Sequence, residues 1–525
     1  MRKVYALLAT LVLSGSFALL AAHVAGTQAS PDPTDPARNV ALPCEALATP
    51  GLVARSANGI EHHANVCGIV GTDVEFQSRK DLNGKVHDYA FVGTMGAGFR
   101  IFDVTNPANP VRAGGYVDSG WQNDVQVRGD IVVSTYDGVA GEDSSASTCL
   151  KQRYPNANGQ GVDIYRLNYN ALTAKFEVNL LTCVANPPGG AHNSTLHPSG
   201  NWLAISNCCS DWAIDVIDLR GVTSGADPLH RYRLIDESRR NSAGRCPADA
   251  DFTCVVMTKP DGSSASGLWD PHDAHFSRNG KTMYVAAIES TFIVDVSQVL
   301  SGNVRTISVI PNISEFPADL TNPRNIDISH QADVTPDGKI LIISDERGGG
   351  VSNTSCNTDE SGTIGGLHFW ALAPIKGVSA SKNASPASPK KLGVYFNPNP
   401  GVNIDPLHAW IDTIRAERGC TVHVFRIGGN GSSSPGAAAS GLDGVSTLPQ
   451  RELVTSWYGA GVWHVDFAGA PTVADGTPED PRTTWGNTRA WNVMPAADTW
   501  SAKEYKGYIY AGDMLRGFDV YRFAD

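Results

Sequence analysis

Three histidines occupy the same place in three similar stretches of the chain. His192, His272 and His330 each stand eight residues before a turn glycine. The three glycines are Gly200, Gly280 and Gly338. Neutral imidazole is a ligand for copper, zinc and iron, and metal sites form where several such groups converge. If the fold brings the three stretches together, the sequence predicts a transition-metal site, copper or zinc, centred on these histidines.

The same register supplies further candidates. Three residues beyond the second and third histidines lie His275 and Asp333, which we expect to act as proton-transfer partners if the protein is an enzyme. In the sixth unit Cys420 takes the histidine position, and His423 takes the position three residues on. His408, in a Pro-Leu-His-Ala-Trp stretch before that unit, is predicted as a further ligand of the same metal ion.

Structural roles compete with each of these predictions. A histidine at the entry of a strand can cap the preceding turn, and charged residues at loop ends are usually solvated. Glu289 and residues 345–347 follow the second strands of two units, so they would offer carboxylates to one face of the fold. His272 and His275 are an odd number of residues apart and point to opposite faces of a regular strand, so they need not bind one ion.

Short strands, repeated about seven times, must position these residues. A unit runs from a polar or histidine entry through strand A, a glycine turn, strand B and an apolar-x-apolar-Asp-apolar strand C, often with a strand D. The runs are rich in Val, Ile, Tyr, Phe and Trp and bounded by Gly, Asn, Asp and Pro, which is strand chemistry. Such units bury their faces by stacking radially. The chain is therefore predicted to be all-β, a seven-bladed β-propeller with long inserted loops, and a right-handed solenoid is the alternative.

Ring closure and the aspartate of strand C complete the fold prediction. Strand A is innermost in a propeller, so the three histidines would surround its central channel. The last unit is predicted to begin with Ala490–Val493 as strand A and to end at strand C, so residues 65–70 are predicted to supply an N-terminal closing strand. The recurring aspartate is expected to accept backbone N–H groups rather than to catalyse. Its copies are Asp103, Asp163, Asp295, Asp466 and Asp519.

One unit resembles a known family. Residues 98–111, Gly-Phe-Arg-Ile-Phe-Asp-Val-Thr-Asn-Pro-Ala-Asn-Pro-Val, are similar to the repeat of the LVIVD-type β-propeller proteins of bacterial exteriors. The other units keep the strand and the aspartate and lose the proline-rich turn. The resemblance implies an exported propeller, often without a defined activity. A remoter similarity is to the selenium-binding protein and methanethiol oxidase propellers, which hold copper with channel histidines, but no ligand motif of theirs matches residue by residue.

The N-terminus has the layout of a cleaved secretory signal. Arg2 and Lys3 precede an apolar run and then small residues, and a retained anchor is the alternative. We divide the chain into a signal peptide at 1–25, an extension at 26–64 and a propeller at 65–525. No later segment approaches the roughly 18 consecutive apolar residues of a membrane span. The mature chain is predicted to have no membrane span and to be secreted or periplasmic.

Ten cysteines fit that location, because disulfides persist outside the cytosol. Cys246 and Cys254 are predicted to pair across a short polar loop. The adjacent Cys208 and Cys209 are too close for an ordinary mutual disulfide, so each pairs elsewhere or stays free. The spacing leaves the remaining connectivity open.

Charge and composition narrow the function. A net charge of −12 without a cluster of Lys and Arg argues against a nucleic-acid surface. The prediction is an exported propeller with a histidine-centred metal site at the mouth of its channel, with metal-dependent catalysis on a small molecule as an open question. The alternative is an extracellular or cell-surface binding module with no catalytic activity, whose ligand the sequence does not name.

Overall fold

The strands form a ring of seven small sheets. The computed structural model describes residues 44, 54, 56–96, 98–118, 123–137, 147–154, 161–185, 191–208, 212–240, 246, 251–312, 325–346, 365–398, 422–429, 446–472 and 483–524. The described strands make seven sheets of four or five strands each. Neighbouring sheets meet through their innermost strands, and the seventh sheet contacts the first. The chain is a seven-bladed β-propeller, which confirms the predicted fold.

The strands are numbered in chain order. Two N-terminal strands come first, β1 (Ser56–Asn58) and β2 (Ile60–Val66). The first sheet contains β3 (Gly71–Lys80), β4 (Val86–Thr94), β5 (Phe99–Asp103) and β6 (Val111–Tyr116). The second contains β7 (Val125–Arg128), β8 (Ile131–Tyr136), β9 (Gly161–Asn170) and β10 (Lys175–Ala185). The third contains β11 (Asn193–Leu196), β12 (Trp202–Asn207), β13 (Ala213–Asp218), β14 (Leu229–Ile235) and β15 (Thr253–Val256).

The remaining sheets follow the same order from the channel outward. The fourth contains β16 (Asp273–Phe276), β17 (Thr282–Ala287), β18 (Ser290–Gln298) and β19 (Asn303–Pro311). The fifth contains β20 (Ser329–Val334), β21 (Ile340–Asp345), β22 (Leu367–Ala371) and β23 (Lys390–Tyr395). The sixth contains β24 (Phe425–Ile427), β25 (Glu452–Ser456), β26 (Val462–Asp466) and β27 (Asn487–Val493). The seventh contains β28 (Thr499–Tyr505), β29 (Tyr508–Asp513) and β30 (Gly517–Phe523).

Helices are short and lie between strands. Two α-helical segments are described, α1 (Thr148–Arg153) and α2 (Glu237–Arg240). Three single turns of 3₁₀-helix occur at Val222–Ser224, Val299–Ser301 and Ser379–Ser381. None of these described helices is long and apolar enough to cross a bilayer. The architecture is therefore carried by the strands.

Tight glycine turns and apolar faces explain why each unit folds locally. In the fourth sheet Gly280 adopts φ +70°, the left-handed region that glycine tolerates best. A β-carbon there would lie 2.1 Å from Nε2 of His197 of the third unit, so any larger residue would displace the His197 ring from its contact with the Gly280 backbone oxygen. The core lies between adjacent sheets, as where Trp202 and Ile214 pack with Val285.

The N-terminal segment closes the ring, as predicted. Strand β2 pairs antiparallel with β30 and completes the seventh sheet, and it spans 60–66 rather than 65–70. Strand β1 pairs with β27 at the outer edge of the sixth sheet. Two sheets are thus joined to a segment from the other end of the chain.

The assignment of the last unit's inner strand was wrong. Ala490–Val493 belongs to β27, the fourth strand of the sixth sheet. The innermost strand of the seventh sheet is β28, which carries the buried charged residues Lys503 and Glu504. Lys503 is accommodated because its ammonium lies 2.7 Å from Asp73 and 2.9 Å from Glu75, both on the neighbouring inner strand β3 of the first sheet. The sequence around Lys503 does not indicate these distant partners, so its strand was not recognised.

The strand-C aspartates have structural roles. Asp103, Asp295 and Asp466 each accept the backbone N–H of the residue two positions on, at 2.9, 3.1 and 2.8 Å, as Asx turns do. Asp163 and Asp519 instead accept side-chain donors in buried networks. All five aspartates therefore have structural roles. Three of them accept backbone N–H groups, as predicted, and two accept side-chain donors instead.

Three disulfides connect described residues. Cys246–Cys254 is bonded as predicted, and Cys44–Cys67 and Cys149–Cys183 are the other two described pairs. Cys208 is also disulfide-bonded, and Cys209 lies outside the described residues. The signal segment lies outside them as well. Disulfides of this number fit an oxidising compartment.

Asp163 makes the stability of the second sheet depend on pH. Its carboxylate is fully buried and accepts from Ser147 Oγ at 2.9 Å and from Tyr165 OH at 3.0 Å. Burial raises its pKa to about 7, although these hydrogen bonds oppose the shift. A raised pKa in the folded state stabilises the protein below the unfolded pKa, and that contribution is lost as pH rises through about 7.

We therefore expect Asp163→Asn to remove this pH dependence. Urea unfolding between pH 4 and pH 9 should show the wild type losing up to about 4 kcal/mol relative to the variant as pH rises. Asp103→Asn is the matched control, because Asp103 lies at a comparable place in the first sheet and is partly exposed. Parallel pH profiles for the wild type and Asp163→Asn would contradict the expectation.

Candidate metal centre

Backbone hydrogen bonds set four histidines at one level of the channel. The backbone N–H of His192, His272 and His423 each donates to the facing end of strand B, at 3.0, 2.8 and 3.0 Å. His330 lies at the corresponding start of β20. The third, fourth, fifth and sixth sheets therefore each contribute one histidine.

His423 was predicted in the wrong register. The alignment placed it three residues further along than the other three histidines, and the structure places it level with them. His423 lies only six residues before Gly429, the turn glycine with a positive φ of +83°, so the distance to the glycine is not a guide in this sheet. Cys420 and His408 lie outside the described residues.

The four rings form a continuous row. Ring centroids are 4.2 Å apart for His192 and His272, 4.3 Å for His272 and His330, and 4.3 Å for His330 and His423. Nε2 of His192 lies 2.9 Å from Nε2 of His272. That spacing suits an N–H···N hydrogen bond, and it is close to the separation of two nitrogens that share one metal ion.

Glu346 supplies a carboxylate to the row. It directly follows β21, is buried, and places Oε2 3.8 Å from Nε2 of His330 and Oε1 3.6 Å from Nε2 of His423. Tyr458 donates its hydroxyl to Oε1 at 2.6 Å. One ligand atom each from His272, His330 and Glu346 lie within 4.8 Å of one another. These three residues are the compact part of the site.

Two outer contacts orient the end histidines. Nδ1 of His192 lies 2.8 Å from Oδ2 of Asp137, and Nδ1 of His423 contacts the backbone oxygen of Trp500. Both contacts hold the Nδ1–H of the imidazole and leave Nε2 facing the row. Metal-binding histidines are commonly oriented in this way by a carboxylate or a carbonyl.

The central histidines are neutral and incompletely bonded. Burial, followed by the neighbouring histidines, lowers the pKa of His272 and of His330 well below the usual value. Burial lowers the pKa of His423 to about 3. Burial alone would lower the pKa of His192, but the hydrogen bond that its ring donates to Asp137, together with the charges of nearby carboxylates, outweighs burial and raises that pKa. Nδ1 of His272 and of His330 has no hydrogen-bond partner among the described residues.

The two predicted proton-transfer residues lie in different surroundings. His275 is buried and lines a cavity of about 40 Å³, whose walls include three histidines of the row. Burial, followed by the charge of Lys503, lowers its pKa to about 3. Asp333 is buried, accepts the Val334 N–H at 2.7 Å, and is not among the described residues that line this cavity. The structure thus places one of the two beside the site.

The first position after strand B was only partly recognised. Asp137, Cys208 and Glu346 each directly follow their strand B, in the second, third and fifth sheets, and each lies against the histidines. Glu346 was among the predicted carboxylates, whereas Asp137 and Cys208 were missed. The signal that would have found them is their shared position at the end of strand B.

Comparisons with known proteins bear on the fold alone. No protein-family model and no curated protein matches the sequence. The chain is similar to the β-propeller domain of Myceliophteria thermophila Cps50 (Swd1), with 9% identity over 89% of this chain and 100% of that chain and a TM-score of 0.47. It is also similar to Kuenenia stuttgartiensis hydrazine synthase, with 13% identity over 87% and 96% of the two chains and a TM-score of 0.43. Because both similarities are distant, the propeller assignment rests on the seven sheets themselves.

Proposed function

We propose that this protein is an exported β-propeller that binds one transition-metal ion, copper or zinc, at the mouth of its channel. The ligands are His272, His330 and Glu346, with His192 and His423 at the two ends of the row. The observation that carries the proposal is the convergence of three buried imidazoles, the partly buried imidazole of His192 and one carboxylate from neighbouring sheets.

The donor set fits such an ion. Imidazole nitrogen suits copper and zinc, and a carboxylate oxygen is a common additional ligand. The buried Nδ1 atoms of His272 and His330, which lack partners among the described residues, argue against a purely structural cap. A cap would use those nitrogens to satisfy backbone groups, whereas the backbone N–H groups of His192, His272 and His423 already donate to strand B.

The chemistry of the site would divide between the ion and the chain. A bound copper or zinc ion would act as a Lewis acid, and copper would also act as a redox centre. Glu346 and the row position the ion, and Tyr458 fixes the Glu346 carboxylate through its 2.6 Å hydrogen bond. His275, which lines the adjoining cavity and is neutral because burial lowers its pKa to about 3, would act there as a proton acceptor. Asp333 has no assigned part in this step.

Metal content and titration test the proposal. Protein purified without a histidine tag should contain close to one equivalent of copper or zinc, and the metal-free protein should take up one equivalent in a calorimetric titration. Binding through Nε2 of both rings requires the proton between His192 and His272 to move to Nδ1 of His272, which has no hydrogen-bond partner among the described residues. Absence of stoichiometric uptake of either metal would overturn the proposal and leave a binding module as the function.

A matched pair of variants shows whether the bound ion lies at the row. Asp137→Asn should weaken metal binding by about 10- to 100-fold, the usual effect of losing an orienting carboxylate. Asp103→Asn is the control, because Asp103 makes the same 2.8 Å contact with Nδ1 of His87 in the first sheet. Equal affinities for the two variants would place the ion elsewhere.

A further inference from the structure

Cys208 lies against the end of the histidine row that Glu346 does not reach. It is the first residue after β12, is 3% exposed, and is disulfide-bonded. Its Sγ and one ring nitrogen each from His192 and His272 all lie within 4.8 Å of one another. The sulfur therefore lies close enough to the two ring nitrogens to share one metal ion with them. In its disulfide form, however, it is a poor ligand.

The surroundings of Cys208 are those of a ligand position. Asp137 and Glu346, at the same place after strand B in two other sheets, both contact histidines of the row. His272, which is 5% exposed, has an Nδ1 without a hydrogen-bond partner among the described residues. A thiolate with two imidazoles is a donor set for zinc or cuprous copper, whereas the sulfur of a disulfide carries no charge to attract the ion.

The other described cysteine cluster offers a useful contrast. Cys149 and Cys183 are bonded to each other, and Asp163 lies beside them. No histidine belongs to that described group, and Asp163 is already engaged by Ser147 and Tyr165. Reduction there would free two thiols without creating a mixed imidazole and thiolate site.

We infer that Cys208 is a redox-gated ligand of the metal centre, which joins His192 and His272 when its disulfide is reduced. The inference rests on the proposed metal site. In the gating step a dithiol reductant transfers two electrons and two protons to the disulfide, which becomes two thiols while the dithiol becomes a disulfide. Metal binding then breaks the S–H bond of Cys208, releases its proton to solvent and forms a metal–sulfur bond.

Cobalt(II) provides a spectroscopic test on the full protein. The metal-free protein is divided, one half is reduced anaerobically with a phosphine, which becomes a phosphine oxide, and the reductant is removed before Co²⁺ is added. The reduced half should show a thiolate-to-cobalt charge-transfer band and bind Co²⁺ about tenfold or more tightly than the oxidised half. The oxidised half should bind Co²⁺ without that band.

Two variants make the result specific to Cys208. Cys208→Ser should abolish the band in the reduced protein and leave Co²⁺ binding at the oxidised level, whereas Cys149→Ser/Cys183→Ser should keep the band. His192→Gln should weaken the band while all cysteines remain, which covers the case in which Cys208→Ser does not fold. A band that persists in both Cys208→Ser and His192→Gln would overturn the inference. Failure of the oxidised protein to bind metal at all would instead count against the proposed function.

Discussion

Asp519→Ala should lower the free energy of unfolding by about 3–5 kcal/mol, the usual cost of leaving a buried charge without its partner. Asp519 is fully buried and accepts from Arg516 Nε at 2.8 Å, from Asn65 Nδ2 at 2.8 Å and from His62 Nε2 at 2.7 Å. Arg516 is 1% exposed, so its guanidinium would stay buried after the substitution. His62 and Asn65 belong to β2, so the substitution also weakens ring closure.

Urea denaturation measures this loss, and the same strand pair contains its control. Glu61→Ala removes the exposed ion pair with Arg522, whose Nε lies 2.8 Å from Glu61 Oε2. Such surface pairs contribute at most about 1 kcal/mol. Similar losses for Asp519→Ala and Glu61→Ala would contradict the assignment of Asp519 as the residue that anchors the closing strand.

Acid should weaken the same anchor. Burial would raise the pKa of Asp519, but the charges of Arg516 and His62 outweigh it and hold the pKa well below the usual value. A depressed pKa in the folded state gives stability that is present above the unfolded pKa and lost as pH falls below it. The difference between the wild type and Asp519→Ala should therefore shrink at pH below about 4.

Local signals predicted the ring because each unit carries its own. Turn glycines such as Gly280, with φ +70°, and strands with one apolar face are visible in any window of the sequence. The inner strand of the seventh sheet was not, because buried Lys503 resembles a loop residue until its partner Glu75, 428 residues earlier, is placed beside it. A buried charge requires a partner. Here the partner comes from the other end of the chain, so only the closed ring reveals it.

The same division holds for the site. Three histidines were predicted because each stands at the same distance in sequence before a turn glycine. In the fold, that shared position places them at one level of the channel. Asp137 contacts His192 across 55 residues of chain, and Tyr458 reaches Glu346 across 112. These contacts depend on how neighbouring sheets pack against each other. That packing cannot be read from local patterns in one sequence.

His272→Ala/His330→Ala should reduce metal affinity by about 10⁴-fold or more. A structural zinc site is worth roughly 10–16 kcal/mol across four ligands, so each ligand contributes about 3 kcal/mol, or about two orders of magnitude in affinity. Both rings lie in the middle of the row, within 4.8 Å of a Glu346 oxygen, so their loss removes two nitrogen ligands that lie beside the Glu346 carboxylate. Competition with a chelator of known affinity measures the change.

His464→Ala provides the control for that double variant. His464 is mostly buried on β26 and lies 2.8 Å from Oε2 of Glu452, away from the described lining of the channel. Its loss should leave metal affinity unchanged. The metal-free double variant should also melt within a few degrees of the metal-free wild type, because Nδ1 of neither ring has a hydrogen-bond partner among the described residues. A large fall in melting temperature together with unchanged metal affinity would instead show that the histidines are caps of the fold.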